Sequence, residues 1–416
     1  MEPALETGAR DEIERAFDVH DPGLADDPYP TYARLRRECP VGRSDKHGGF
    51  WILSRYDDIY EVCRQPEIFS SNPAAIPANM GQARPMIPLE ADPPDHTRYR
   101  RILAPVFSPG GAAALEGEIR RAVTMLIDGF IERGSCELIA DFAAQLPPIV
   151  FLQFMQWPMA DAPRFLEWTD RIIRGDEGNV DDEGVREQAG AALYGYFGEM
   201  MAARAQNPTD DFVSYLMSAS FGGERPLTQF EVLDIVFNFL IAGLDTTRAA
   251  LGNAFAYLAS HPEQRDRLVA DPAVIPDAIE ELLRWDSLLA TGRTVTQDVE
   301  VRGTRMRKGD RVMVLFGSAS RDEDVFDRPD EVDFDRPNNR HMGFGNGPHR
   351  CPGSHLARVE LRVAFEELHR RLPDYRHAPG GTVRRNLGHI KAVLELPLAF
   401  TPGAREGDSG GSGTSR

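Results

Sequence analysis

The longest helical pattern begins at Thr228, which has Glu231 three residues on at the spacing of a capping box, and runs unbroken to Ser260, just before Pro262. At about 1.5 Å per residue this helix is roughly 50 Å long, enough to cross the whole molecule. Its middle, Phe239 to Leu244, is apolar on every face, which predicts burial. A second helix is predicted over Asp277 to Trp285, just after Pro276. Another follows Cys351, with Leu361, Phe365, Leu368 and Leu372 on one stripe. Helical patterns dominate from about Arg100 to Ala270, whereas Phe50 to Leu53 reads as a strand with a helix after it from Asp57 to Arg64. Val299 to Arg302 and Arg311 to Phe316 read as strands, with Lys308-Gly309-Asp310 as a turn. From Asn72 to Pro94 the chain is rich in Pro, Ala and Met without periodicity, and a loop that long inside a compact protein tends to be functional. The pattern is mainly α with a smaller β region, and it contains no internal repeat.

Length qualifies this picture. A chain of 416 residues suggests two or three domains, yet a large helical protein can wrap one core around a buried cofactor, and 42% hydrophobic residues supply that core. The expected division is a flexible acidic N-terminus over 1–20, one domain over 21–403, and a disordered Gly/Ser-rich tail over 404–416. The balance of 47 basic against 65 acidic residues, −18, argues against a nucleic-acid partner and for solubility. The acidic N-terminus has no continuous apolar segment, and even the run near Val236 to Leu244 is interrupted by Asn238, so neither a signal peptide nor a membrane span is expected. A cytoplasmic monomer follows. Cys39, Cys63, Cys136 and Cys351 share no C-x-x-C spacing, which leaves the first three as small buried residues of a reducing compartment.

Cys351 differs from the other three by its setting, Phe344-Gly345-Asn346-Gly347-Pro348-His349-Arg350-Cys351-Pro352-Gly353. Gly345 and Gly347 permit a tight loop, and a cysteine at the start of a helix is favoured as thiolate by the helix dipole and free N–H groups. Phe344 is placed to shield the sulfur. Read alone, the segment is also consistent with a glycine turn carrying an inert cysteine. The ten residues, however, have the pattern F-G-x-G-x-H-x-C-x-G at every specified position, and the chain thereby resembles the cytochrome P-450 superfamily over about Pro28 to Phe400.

The resemblance implies a triangular helical prism around heme b (iron protoporphyrin IX), with Cys351 as the iron ligand and Phe344, His349 and Gly353 in its loop. Asp245-Thr246, after Gly243 in the long helix, matches the family's acid–alcohol pair, implying a relay that delivers protons to bound dioxygen, with Gly243 leaving room for the oxygen. Read alone, Thr246 and Thr247 would bond back to carbonyls one turn earlier. Glu281 and Arg284 match the E-x-x-R pair, with Arg336 as third member, a structural set fixing the fold around the ligand loop. His96, Arg100, Arg293 and His349 match positions that hold the heme propionates. Leu240, Ile241, Leu244, Leu288, Leu289 and Ala290, with the loop from Asn72 to Leu89, are expected to wall the substrate pocket, and Arg84 is the one basic residue there suited to a charged substrate.

The activity implied is insertion of one atom of dioxygen into a C–H bond, by hydroxylation or oxidative demethylation, of a small and largely apolar substrate. No G-x-G-x-x-G fingerprint is present, so electrons are expected from NAD(P)H through a ferredoxin reductase and ferredoxin. Arg98, Arg101, Arg350, Arg358 and Arg362 form the expected docking patch. A peroxygenase or isomerase of the same fold, and a non-catalytic heme protein, are the alternatives, and the intact Asp245-Thr246 pair disfavours both. Two departures stand out. Ser320 replaces a frequent Asn, with no catalytic consequence expected. Pro352 follows the ligand and has no N–H, which predicts one fewer donor to the sulfur and a more electron-donating thiolate.

Overall fold

Thr228 caps the helix that organises the molecule. In the computed structural model, which describes residues 17–78, 81–175 and 183–407, Thr228 Oγ1 accepts from the Glu231 amide at 3.2 Å while Glu231 Oε2 accepts from the Thr228 amide at 2.7 Å. The capping box therefore starts the central helix, Gln229–Ser260, at the position its sequence predicts. Burial along it departs from the expectation. Phe239 is half-buried and Ala242 and Gly243 are exposed, although Leu240, Ile241, Leu244 and Asp245 around them are buried. A Cβ added at Gly243 would meet no heavy atom within 4 Å. All-round apolarity reports the absence of bulk water and does not reveal that the neighbour on one face is a cavity.

Two helices, Ala162–Arg174 and Glu183–Gln206, pack on each other and across the central helix. On another side lies Ser354–Arg371, which also packs against Glu116–Asp128 and Ile275–Trp285. Its predicted stripe of Leu361, Phe365 and Leu368, with Leu372 just beyond, is fully buried, and Phe365 meets Phe255 of the central helix at 5.0 Å between ring centroids. Burial of each such side chain stabilises the fold by roughly 1.5–3 kcal/mol. The helix expected at Asp277 starts two residues earlier, because Pro276 fits the first turn, where no N–H partner is required. The helix expected from Asp57 spans Tyr56–Cys63.

The β region is a five-stranded sheet of β1 (Val41–Ser44), β2 (Phe50–Leu53), β3 (Phe69–Ser70), β4 (Ala290–Val295) and β5 (Arg311–Leu315) in the order β1-β2-β5-β4-β3. Only β2 and β5 run parallel, and β4 pairs with β5 through Arg293 opposite Val312. This register holds Arg293 buried within the sheet. Among the described residues the loop from Asn72 to Pro94 forms no helix or strand, as expected.

Both termini are more firmly held than their composition suggests. Phe17 and Val19 are buried and Ser44 Oγ donates to the Phe17 carbonyl at 2.7 Å, so 17–20 belong to the folded unit. At the other end Arg371 donates to the Ala404 carbonyl at 2.9 Å, Arg370 chelates Glu406, and Asp128 accepts from the Glu406 and Gly407 amides. The expected disorder is thus corrected at 404–407, while 1–16 and 408–416 lie outside the described residues. No helix among the described residues is long and apolar enough to cross a membrane.

Candidate active site

The loop before Cys351 is built on two glycines at φ +68°, Gly345 and Gly347. A Cβ at Gly347 would lie 2.1 Å from the Cys63 carbonyl oxygen, so only glycine lets the loop approach that helix end. The Cys351 amide closes the loop by donating to the Phe344 carbonyl at 2.9 Å. Cys351 precedes the first helical residue, Ser354, by three positions, so the sulfur sits beside the helix entrance and not within its first turn. Burial pushes its thiol up, while the Gly353 amide and the guanidiniums of Arg100, Arg350 and Arg358 pull it down. Pro352 removes one donor, as expected, but the sulfur keeps the one from Gly353. Cys39, Cys63 and Cys136 are buried.

A carboxylate unremarked in the sequence holds this loop from behind. Glu280 accepts from Arg358 at 2.6 and 2.7 Å and meets His341 Nε2 at 3.1 Å, while His341 Nδ1 accepts from the Gly343 amide at 3.0 Å. The Arg358 guanidinium also lies 4.4 Å above the Phe344 ring. One residue further on, Glu281 receives both Arg284 (2.8 Å at each oxygen) and Arg336 (2.9 and 3.0 Å). Asn339 and the Asp333 amide complete its shell. The three members expected together are therefore in contact.

Two guanidiniums and two imidazoles converge over the loop. His96 comes from the helix Asp95–Leu103, as does Arg100; Arg293 comes from β4 and His349 from the loop itself. The His96 and His349 rings stand 4.1 Å apart, and His96 Nδ1 and His349 Nε2 are buried without partners. Burial, then the fields of His96, Arg293 and Arg100, hold His349 down to about 2; burial and Arg100 bring His96 to about 4. Burial also lowers Arg100. Among the described residues none of the four is ion-paired to a carboxylate. Such a cluster is costly unless an anion joins it, and the two propionates of heme meet that requirement. Cys351 offers a single sulfur ligand, and no group of three or more His, Cys, Asp or Glu among the described residues is arranged to hold a metal. A metal held by one thiolate fits a macrocycle that brings its own nitrogens, and Ala242 and Gly243, exposed on the central helix, leave space beside that helix.

Asp245 is 1% exposed, with Oδ1 bonded to Arg174 and Oδ2 without a partner. Asp170 accepts from Arg174 at 2.7 Å and from Arg248 at 2.6 Å, so a buried acid is wired to a carboxylate that reaches the surface. Arg248 is readable as an i,i+3 partner of Asp245, but Arg174 lies 71 residues away and left no trace in the sequence. Thr246 Oγ1 donates to the Ala242 carbonyl at 2.7 Å, one turn back.

The expected pocket walls divide. Ile241 and Ala290 are buried and Leu289 is half-buried, bridged to Ile390. Leu240 and Leu244 are buried like Ile241, at 0% and 3% exposure. Leu288 lines a small closed space with Ala250, Ala254 and Leu361. Arg84 is committed, chelating Asp234 at 2.7 and 2.8 Å and covering Phe230 and Tyr194. Of the five arginines expected on the docking face, Arg358 is held by Glu280, Arg362 by Glu116 and Glu366, and Arg98 loosely by Asp95 and Glu224. Among the described residues Arg101 and Arg350 are exposed and have no carboxylate partner.

Comparison with known proteins agrees with this geometry. A family model for cytochrome P450 matches residues 185–373. The chain is 35% identical over 353 residues to the probable cytochrome P450 127A1 of Sinorhizobium fredii, covering 85% of this chain and 84% of that one. It is 34% identical over 397 residues to the mycinamicin IV hydroxylase/epoxidase of Micromonospora griseorubida, covering 92% and 97%. CYP109E1 from Bacillus megaterium, solved in complex with testosterone, shares the fold at a TM-score of 0.83 and 27% identity over 92% of this chain and 100% of that one. With likeness sustained along nearly whole chains, and two arginines and two histidines without carboxylate partners among the described residues set beside Cys351, the protein belongs to the cytochrome P450 family, a monooxygenase whose cofactor is heme b.

Proposed function

We propose that this enzyme oxidises a C–H bond of a small, largely apolar organic molecule, by hydroxylation or oxidative demethylation, with electrons from NAD(P)H delivered by a ferredoxin reductase and ferredoxin. The observation that carries the reading is the exposed Ala242–Gly243 face beside buried Asp245 and half-buried Thr246. Heme, when bound, would supply oxygen activation, and Cys351 would be the residue that holds its iron and donates electron density to it. One oxygen atom enters the substrate as a hydroxyl and the other leaves as water, consuming two electrons and two protons. Asp245, joined through Arg174 to the partly exposed Asp170, is placed to pass those protons inward, and Thr246 to hold the last one once its hydroxyl turns from the Ala242 carbonyl. Cys351 would hold the iron, Arg100, Arg293, His96 and His349 would hold the propionates, and Ile241, Leu289 and Ala290 would border the substrate.

The first experiment is a compound-library titration of the ferric enzyme, read as the low-spin to high-spin change when water leaves the iron. Apolar compounds that shift the spectrum and are then turned over with ferredoxin, reductase and NADPH support the reading. Turnover with peroxide alone, and none with the ferredoxin system, would reject it. For docking, Arg101 and Arg350 replace the wider patch, being its two exposed and unpaired members. Arg101→Glu with Arg350→Glu is expected to slow ferredoxin-driven reduction about tenfold or more at low salt, with reduction by dithionite unchanged.

A further inference from the structure

Asn238 stands one turn before Ala242 on the central helix, about 40° from it around the axis, about 80° from Thr246 and about 140° from Gly243, at the margin of the side that opens. It is 5% exposed, and its Oδ1 is fully buried with no hydrogen-bond partner. Its Nδ2 makes no hydrogen bond to the described residues either. The carboxylates along this stripe have partners, Asp234 in Arg84 and Tyr194 one turn earlier and Asp245 in Arg174 through Oδ1 two turns later, although Asp245 Oδ2 has none among the described residues. Asn238 is thus an amide set among Phe237, Ile241 and their apolar neighbours with both ends idle. An unpaired buried amide disfavours the folded state roughly tenfold or more, which makes it a poor choice for packing alone.

We propose that Asn238 is a specificity-determining residue that hydrogen-bonds a single neutral polar group, a hydroxyl or amide, on an otherwise apolar substrate. This deepens the monooxygenase reading above and rests on it. The group is neutral because the flanking carboxylates and guanidiniums are already paired with one another, leaving no net charge to attract an anion or a cation. From Asn238 to the Ala242–Thr246 stretch is roughly 6–12 Å along the axis, which sets the separation between polar group and oxidised carbon. Substrates of this class carry the handle several bonds from the reacting C–H.

The test uses the intact ferric holoenzyme and its Asn238→Leu variant, titrated with 1-decanol and decane and followed by the spin-state change. The ratio of the Kd for decanol to that for decane is expected to rise about tenfold in the variant, the loss of one buried hydrogen bond. The substrate-free variant is expected to melt at the same temperature as the parent or higher, since leucine removes an unsatisfied amide. An unchanged ratio, or no spectral response to either compound in both proteins, overturns the proposal. So does a fall of several degrees in Tm, which would mean that the amide has a structural partner. Imidazole titration of both proteins separates the two levels of inference. Normal imidazole binding with an unchanged ratio refutes Asn238 alone, and no imidazole binding refutes the heme-enzyme reading beneath it.

Discussion

At the scale of the residue, the chemistry turns on where single donors and charges sit. Asp245 keeps one oxygen on Arg174 and the other idle, the arrangement expected of a group that must exchange a proton without leaving its post. Asp245→Asn is expected to lower product formation about 100-fold while heme content stays normal, checked by product per electron consumed and by a larger solvent isotope effect. Pro352 acts on the other side of the heme. Because the sulfur already takes the Gly353 amide, Pro352→Leu adds a second donor, and the reduction potential should rise in spectroelectrochemical titration. An unchanged or lower potential would count against the electron-rich thiolate. Residues of this kind were legible from the sequence when the chemistry and its spacing were local, as in the ten residues ending at Gly353. Arg174 was not, because nothing in a chain records which residue 71 positions away will be folded against an acid. Asn238 was visible only as an interruption of an apolar run; its meaning depends on which face of the helix opens.

Elements carry the next level. The central helix announced both of its ends, by Thr228 and Glu231 at one and Pro262 at the other, and the structure starts and stops it there. The helix Ile275–Trp285 does more than pack, since Glu280 and Glu281 on adjacent positions send carboxylates to two different partners, the ligand loop and the Arg284–Arg336 pair. Glu281 is 1% exposed and Arg284 fully buried, so the set is sensitive to loss of one member. Glu281→Gln leaves two guanidiniums facing a neutral amide and is expected to cost about 3–5 kcal/mol, read as a lower urea midpoint and as loss of heme on purification. Retained heme with an unchanged midpoint would show that the cluster is dispensable. The sequence indicated this pair only by analogy, because an i,i+3 acid–arginine spacing is commoner on a wet helix face, and burial is settled by what packs on top.

For the whole molecule, the buried carboxylates predict a stability profile with two limbs. Burial pushes Glu280 up, but its bonds to Arg358 and His341 bring it down to about 2, below the 4.5 of a free glutamate. Its contribution is therefore present above 4.5 and disappears as pH falls toward 2. Glu360 has the opposite sign: buried with Oε2 unpartnered, it is raised by desolvation to about 8. Its contribution is present below 4.5 and is lost as pH rises through 8. Urea midpoints across pH should show a shallower acid limb for Glu280→Gln and a flatter alkaline limb for Glu360→Gln. A matching pair of profiles for parent and variants would overturn both assignments.

The anchored segment 404–407 sets a design rule for electron supply. Arg370 and Arg371 fix it at the far end of the helix Ser354–Arg371, about 27 Å along the axis from the end nearest Cys351. A ferredoxin domain fused after Gly407 therefore begins a full helix length from the exposed Arg350. A Gly/Ser tether has an r.m.s. reach of about 5–6 Å times the square root of its length, so roughly 25 residues are needed for the donor to sit at the ligand face. Much shorter tethers would hold the two redox centres apart however well their surfaces match.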